Sequence, residues 1–156
     1  CKNFMFSTPL NLLYNYRIMK HTMEQRVYYA DTDSYGVVWH GTYLRWMEAA
    51  RVEFCTKIGI DLLELRKNDI AIPVTNINIR YKSSAILDEK VVIETSLTKI
   101  SPIAATFTQI IKNSLNGQVH TIADVEVVCV HNDGKIYRRL PEDLKTILEG
   151  AMECKD

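Results

Sequence analysis

Two carboxylates and a histidine lie close together in one polar stretch of the sequence, and their spacing suits acyl-transfer chemistry. Asp31 and Asp33 lie in a loop that ends at Gly36, and His40 follows where a helix is predicted to begin. The first N–H groups of a helix lack intrahelical acceptors, so they attract negative charge and can stabilise an oxyanion. A carboxylate base or nucleophile facing such a site is the minimum apparatus for acyl transfer, and thioesters suit it because thiolate is a good leaving group.

The same residues also have a structural interpretation. Asp31 and Asp33 can cap the turn, and His40 can cap the helix. Glu48 lies further along the predicted helix and is a second candidate base. Its position three residues before Arg51 equally fits a structural ion pair on the helix surface.

A long helix is predicted to position His40. Apolar side chains recur at three- and four-residue steps between Tyr43 and Ile58, which is the pattern of one buried helical stripe. We expect this helix to start near residues 40–42 and to end at Gly59, because glycine is the residue favoured just past a helix C-terminus.

Alternating apolar and polar residues predict strands in the rest of the chain. Ile77, Ile79 and Tyr81 alternate with polar residues, which indicates a strand with one buried face. Strands are also predicted at Gln25–Ala30, Lys90–Leu97, Ala104–Lys112 and Val119–Val130, with short helical segments at 61–67 and 142–150. Asn116-Gly117 indicates a hairpin turn between the last two strands.

This order of elements predicts an α+β domain, in which one apolar helix packs against one antiparallel sheet. A single sheet of this size leaves its edges exposed, so we expect pairing with a second copy of the chain. The 156 residues fit one domain, and a hydrophobic share of 47% is enough for a packed core.

Charge and cysteine content narrow the class of protein. Lysine plus arginine equal aspartate plus glutamate at 19 each, which argues against a general nucleic-acid or membrane-surface binder. No apolar run reaches the length of a membrane span. The cysteines, at positions 1, 55, 129 and 154, form no CxxC pair, so we expect reduced thiols in a cytoplasmic protein and no metal site.

The N-terminal segment differs in composition from the rest of the chain. No acidic residue precedes Glu24, and the segment lacks the continuous apolar region of a secretory signal. We therefore expect residues 1–23 to be an extension of unknown role, and residues 24–156 to form the domain.

A long motif with fixed spacing runs from Asp31 to Arg51: D-T-D-x-x-G-V-V-x-H-x-x-Y-L-x-x-x-E-x-A-R. This motif resembles the signature of the 4-hydroxybenzoyl-CoA thioesterase family, and it is most similar to the acyl-CoA thioesterases associated with the Tol-Pal system. The stretch from Ile79 to Asp88 also resembles the family's strand and turn after the helix. The likeness covers residues 24–132, most of the chain.

The resemblance implies a hotdog fold, in which an antiparallel sheet of about five strands wraps a long central helix. It also implies a homodimer or homotetramer with active sites at the subunit interface. The activity it implies is hydrolysis of an acyl-CoA thioester to free acid and CoA, without a cofactor.

In the family that this sequence resembles, the second Asp of the D-x-D loop is the essential carboxylate, which here is Asp33. It either attacks the thioester to give a mixed anhydride or activates water. The backbone N–H at the position of His40 is the implied carbonyl polariser, and the His40 side chain is a further candidate acid or orienting group. Asp31, Tyr43 and Glu48 are secondary catalytic candidates.

Further side chains are candidates for contact with the substrate. The substrate-binding candidates are Trp39, Gly41, Lys82 and Lys99. Lys82 and Lys99, together with Arg138, are candidates for the CoA phosphates, although each also fits a solvated surface charge. Tyr43 falls on the buried helical stripe, where core packing is the ordinary role of an aromatic side chain. His120 and His131 show no partner spacing and are expected to be ordinary strand-end residues.

Three alternatives to acyl-CoA hydrolysis remain open at this stage. A hotdog protein can bind acyl chains or CoA without hydrolysing them. A thioesterase can act on acyl-carrier protein, and this fits the single charge of the stretch 98–102, where related enzymes carry basic clusters. A hotdog hydratase fits less well, because those enzymes carry a different His-containing motif.

Overall fold

A computed structural model describes residues 19–152. The strands are β1 Lys20–Arg26, β2 Val74–Tyr81, β3 Lys90–Ile100, β4 Ala104–Asn113 and β5 Val119–Val128. The helices are α1 His40–Lys57, α2 Leu62–Lys67 and α3 Glu142–Ala151, with a 3-10 turn at Tyr29–Asp31. The strands form one antiparallel sheet in the order β1-β3-β4-β5-β2. The predicted α+β architecture, one long helix against a five-stranded sheet, is confirmed.

Helix α1 packs its apolar stripe on the sheet. Met47 and Ala50 are fully buried in a cluster with sheet residues such as Ile93 and Val125. Phe54, one turn further on, packs edge-on against a phenylalanine of β4 with ring centroids 5.7 Å apart. Because these residues recur every three or four positions, one helix face enters the core and the other faces solvent.

Both ends of α1 match the prediction. The helix starts at His40 and ends at Lys57, and Gly59 follows with φ +92, a left-handed conformation that glycine adopts without steric cost. Asp61 then caps α2, because its side chain accepts hydrogen bonds from the N–H groups of Leu63 and Glu64. No helix within residues 19–152 is long and apolar enough to cross a membrane.

The first predicted strand, Gln25–Ala30, is wrong at both ends. Strand β1 starts at Lys20 and ends at Arg26, and the chain then turns away from the sheet. The turn forms because the Tyr28 N–H donates to the Asp31 carboxylate over 2.9 Å, which closes the 3-10 turn where the strand was expected to continue. The domain boundary expected after residue 23 falls inside β1, so the sheet includes residues 20–23. Residues 1–18 lie outside the described part of the chain.

Strand β2 is an edge strand, and the face that was expected to be buried is partly exposed in a single chain. Ile77 and Tyr81 keep 39% and 46% of their surface exposed. They lie on a strand that pairs only with β5. The alternation therefore predicted the strand correctly, but its apolar face is only partly covered: Ile79 packs against the core, while Ile77 and Tyr81 stay partly exposed.

The hairpin between β4 and β5 is longer than the Asn116-Gly117 dipeptide suggested. The Asn113 N–H donates to Gln118 O, and the Asn113 side chain accepts from the N–H groups of Leu115 and Asn116. Gly117 has φ +73. The side chain of Asn113 thus caps and stabilises a four-residue loop, 114–117.

Candidate active site

Asp33 lies in the loop between the 3-10 turn and α1. Its Oδ1 accepts the Tyr35 N–H over 2.8 Å, and its backbone N–H donates to Val37 O over 2.9 Å. Its Oδ2 receives no hydrogen bond from any residue in 19–152. Gly36 permits this turn because it has φ +76. One carboxylate oxygen thus holds the loop, and the other is available to a ligand.

Asp31 has a different environment from Asp33. It is 3% exposed, and its Oδ1 accepts from Arg45 Nη2 over 2.6 Å while its Oδ2 accepts from Tyr28 N. Its backbone O accepts the Trp39 N–H over 2.9 Å. Every acceptor of Asp31 is engaged within the chain, so this residue joins the turn to the start of α1.

The start of α1 presents free backbone donors. Trp39 is the N-cap residue, and its side chain makes no capping hydrogen bond. The N–H groups of His40 and Gly41 have no acceptor among residues 19–152, as expected for a helix N-terminus. The Tyr81 hydroxyl donates to His40 O over 2.9 Å, which ties the end of β2 to the helix start.

A cavity of about 320 Å³ brings these elements together. Its lining residues are Asp33, Val37, Val38, His40, Tyr43, Tyr81, Lys82, Ser83 and Ser84. The Tyr43 side chain is buried, and its hydroxyl accepts the Ala85 N–H over 2.9 Å. Burial raises the pKa of Tyr43, so the hydroxyl keeps its proton at neutral pH.

Other predicted site residues lie elsewhere in a single chain. Glu48 lines a separate cavity of about 180 Å³ with Arg51 and Cys55. The Arg51 guanidinium donates to Gln109 Oε1 over 2.8 Å, so the ion pair expected with Glu48 is replaced by a bond to the sheet. Lys99 lies near the far end of β3 from the cavity, and Arg138 precedes α3; neither lines the Asp33 cavity.

His120 is more than the ordinary strand-end residue that its sequence context suggested. Its ring is 1% exposed and contacts Ser83 Oγ through Nδ1 at 2.8 Å and Glu89 Oε1 through Nε2 at 2.5 Å. His131 likewise bonds Asp69 over 2.7 Å. Both partners lie more than thirty residues away along the sequence, so spacing within the sequence could not reveal them.

The Trp39 ring lies directly over Gly41. A Cβ atom added at Gly41 would lie 2.2 Å from the nearest ring carbon of Trp39. We expect Gly41→Ala to displace this half-exposed ring and shift the tryptophan emission spectrum. Because the ring is the end of a flexible side chain, the free energy of unfolding should change by less than about 1 kcal/mol. Fluorescence and urea denaturation check both results, and a larger loss of stability would show that the ring cannot move.

Comparisons with known proteins agree with this architecture. The model of the thioesterase-like superfamily matches residues 27–148. The acyl-CoA thioester hydrolase YbgC of Escherichia coli O6:H1 is 34% identical over 119 residues, which cover 76% of this chain and 88% of that protein. The 4-hydroxybenzoyl-CoA thioesterase of a Pseudomonas species is 29% identical over 79 residues, which cover 49% of this chain and 56% of that protein.

A solved structure gives the same result in three dimensions. The DHNA-CoA thioesterase of Staphylococcus aureus superposes with a TM-score of 0.76 at 31% identity, covering 84% of this chain and 87% of that one. The chain therefore belongs to the thioesterase-like superfamily, and its long helix packed on a five-stranded antiparallel sheet is the hotdog fold. It is a thioester hydrolase.

Proposed function

We propose that the protein hydrolyses an acyl-CoA thioester to the free acid and CoA, with Asp33 as the reacting carboxylate. The observation that carries this proposal is the shared cavity of Asp33 and the α1 N-terminus. Asp33, whose Oδ2 receives no hydrogen bond from residues 19–152, lines the same space as His40, the first residue of a helix whose first N–H groups have no acceptor in that part of the chain. Such donors stabilise the oxyanion that forms when a thioester carbonyl is attacked.

Two routes use this arrangement. In the first, Asp33 attacks the thioester carbonyl, the thiolate of CoA leaves, and water hydrolyses the resulting mixed anhydride. In the second, Asp33 takes a proton from a water molecule that attacks the same carbonyl. In both, the N–H groups of His40 and Gly41 polarise the carbonyl. The Tyr43 hydroxyl and the Lys82 ammonium supply further positive potential at the cavity wall.

Thiol release from a panel of aromatic and aliphatic acyl-CoAs tests this function. We expect the wild-type protein to release thiol from at least one acyl class, which names the substrate. Folded protein that releases no thiol from any member would contradict acyl-CoA hydrolysis. The same assay with acyl-carrier-protein thioesters, and then ligand binding without turnover, would distinguish the two remaining interpretations.

We also propose that the protein is a homodimer or larger oligomer joined along β2. This edge strand has unpaired backbone groups, and its apolar side chains Val74 and Ile77 are 41% and 39% exposed. An antiparallel partner would satisfy both. Because β2 ends at Tyr81 in the Asp33 cavity, a second copy on this edge would border the active site.

A charge placed on β2 tests this interface. We expect Ile77→Lys to convert the oligomer to monomer, because a lysine at the centre of the pairing edge must lose its hydration for pairing to occur. Leu115→Lys is the matched control, since Leu115 is 92% exposed in the β4–β5 hairpin and is not part of β2. Sedimentation velocity measures both masses. A wild-type monomer, or an unchanged mass for Ile77→Lys, would contradict the proposed interface.

A reducing, cytoplasmic location is part of the same proposal. Cys55 and Cys129 are both free and buried. Burial raises the pKa of the Cys55 thiol to about 11, so it stays protonated and unreactive at neutral pH. Unpaired thiols of this kind are typical of proteins in reducing compartments.

A further inference from the structure

Ser83 has its hydroxyl committed by neighbours inside the protein. Its Oγ lies 2.8 Å from His120 Nδ1 and 2.9 Å from Val119 O. Both of these neighbours belong to the start of β5, and the His120 ring is 1% exposed. Ser83 itself is half-buried and lines the Asp33 cavity. One side of this hydroxyl therefore faces the interior network and the other faces the site.

Glu89 and Asn113 hold the His120 ring on its far side. Glu89 Oε1 lies 2.5 Å from His120 Nε2 and accepts from Asn113 Nδ2 over 2.8 Å, and Glu89 Oε2 accepts the Ile86 N–H over 3.0 Å. Burial favours the neutral acid, but these hydrogen bonds outweigh it and lower the pKa of Glu89. Glu89 is therefore ionised at neutral pH, and the Nε2–H of His120 points at it.

Ser83 donates its hydroxyl proton inside the protein whether His120 is neutral or charged. If Nδ1 carries no proton, the serine O–H donates to it and both remaining lone pairs are free. If Nδ1 carries a proton, it donates to Oγ, the serine O–H donates to Val119 O, and one lone pair is left. In both cases the serine proton is used inside the protein. Ser83 can then only accept a hydrogen bond from a ligand in the cavity.

The segment that carries Ser83 is also fixed against the catalytic elements. Ala85 donates its N–H to the Tyr43 hydroxyl over 2.9 Å and accepts the Val38 N–H over 2.9 Å. Val37 forms a bridge with Ile86. The lone pair of Ser83 is therefore held in a defined position relative to the loop of Asp33 and the start of α1.

We propose that Ser83 is a binding residue that accepts the N–H of the amide nearest the sulfur of a CoA-type thioester. This inference rests on the proposed function. The cysteamine unit of such a thioester places an amide N–H two methylene groups from the reacting sulfur, and it is the first donor that the thiol arm offers. Because Ser83 offers this position only a lone pair, it favours thiols that carry the amide N–H over thiols that lack it.

One pair of small substrates isolates this contact. They share the acyl group that acyl-CoA assays identify; one is its N-acetylcysteamine thioester, and the other replaces the amide N–H by an ester oxygen. We expect wild-type protein to favour the amide in kcat/KM by roughly three- to tenfold, the size of one neutral hydrogen bond. The preference should lie in KM, because the contact is present in both the bound substrate and the transition state.

Ser83→Ala should bring this amide preference close to one, and Ser83→Thr, which keeps the hydroxyl, should retain it. Ser84→Ala is the matched comparison, because Ser84 lines the same cavity and its hydroxyl has no partner within residues 19–152; its amide preference should stay at the wild-type value. Since each preference is a ratio measured on one protein sample, partial unfolding of a variant cancels.

The outcomes separate the two proposals. If acyl-CoA is hydrolysed but Ser83→Ala keeps the wild-type preference, Ser83 is not the acceptor and the function stands. Equal rates for both small substrates with wild-type protein would also overturn the contact alone. If folded wild-type protein releases no thiol even from acyl-CoA, the function fails and the inference fails with it.

Discussion

Asp33→Asn should lower the turnover of acyl-CoA by roughly 10²- to 10⁴-fold, the usual contribution of a positioned acid–base group. The asparagine keeps an oxygen that can accept the Tyr35 N–H, so the loop should retain its shape. It cannot take a proton from water, and it is a far poorer nucleophile than a carboxylate. Steady-state thiol release with wild type and variant at matched folded concentration measures the effect.

The matched control is the same chemical change two residues earlier. Asp31→Asn should leave the turnover of the folded fraction within a few-fold of wild type, since every acceptor of Asp31 is engaged inside the chain. Equal losses of turnover in the two variants would contradict the assignment of Asp33 as the reacting carboxylate. If Asp33→Asn turned over at the wild-type rate, Asp33 would not be the reacting carboxylate, and Glu48 would be the next residue to test.

The second large effect concerns stability. Asp31→Ala should lower the free energy of unfolding by about 3 kcal/mol, because two hydrogen bonds to a charged group are lost and such bonds contribute about 1.5–3 kcal/mol each. The lower part of that range applies because Arg45 is 65% exposed and regains water when its partner is removed. Urea denaturation of the purified variants measures the change.

Asp31→Asn and Asp33→Ala show how much of the free energy of unfolding each carboxylate contributes. The asparagine at 31 keeps one acceptor and should cost less than alanine, whereas Asp33→Ala should cost under about 1 kcal/mol, since it removes one hydrogen bond at a half-exposed site. If Asp31→Ala were no more destabilising than Asp33→Ala, the hydrogen bonds of the Asp31 carboxylate to Arg45 and Tyr28 would not hold the turn.

Local pattern predicted most of the elements. The three- and four-residue spacing of Tyr43 to Ile58 and the glycine at 59 located α1 to within a residue or two, because helix formation depends on neighbours along the chain. The strands from Lys90 onward were also located correctly. The first strand was misplaced because Tyr28 and Tyr29 have high strand propensity, while the turn there depends on the Asp31 side chain.

The site residues were also predicted in part. The D-x-D motif and the helix start identified Asp33, His40 and Tyr43, and the structure places all three around one cavity. It places Glu48 and Lys99 elsewhere in the single chain. Ser83 lies in the stretch that resembles the family but was not predicted as a site residue, because its partner His120 comes from another strand.

The sequence by itself determined the class of fold, the helix that presents the oxyanion donors and the pair of candidate carboxylates, because each depends on residues within a few positions of one another. Only the tertiary structure decided which carboxylate is free. Asp31 and Asp33 are two residues apart in one loop, yet Asp31 meets Arg45 and Asp33 lines an open cavity. Asp31 is engaged by partners within residues 28–45, whereas the cavity that Asp33 lines is completed by residues 81–84, which come close only when β2 and the helix pack together.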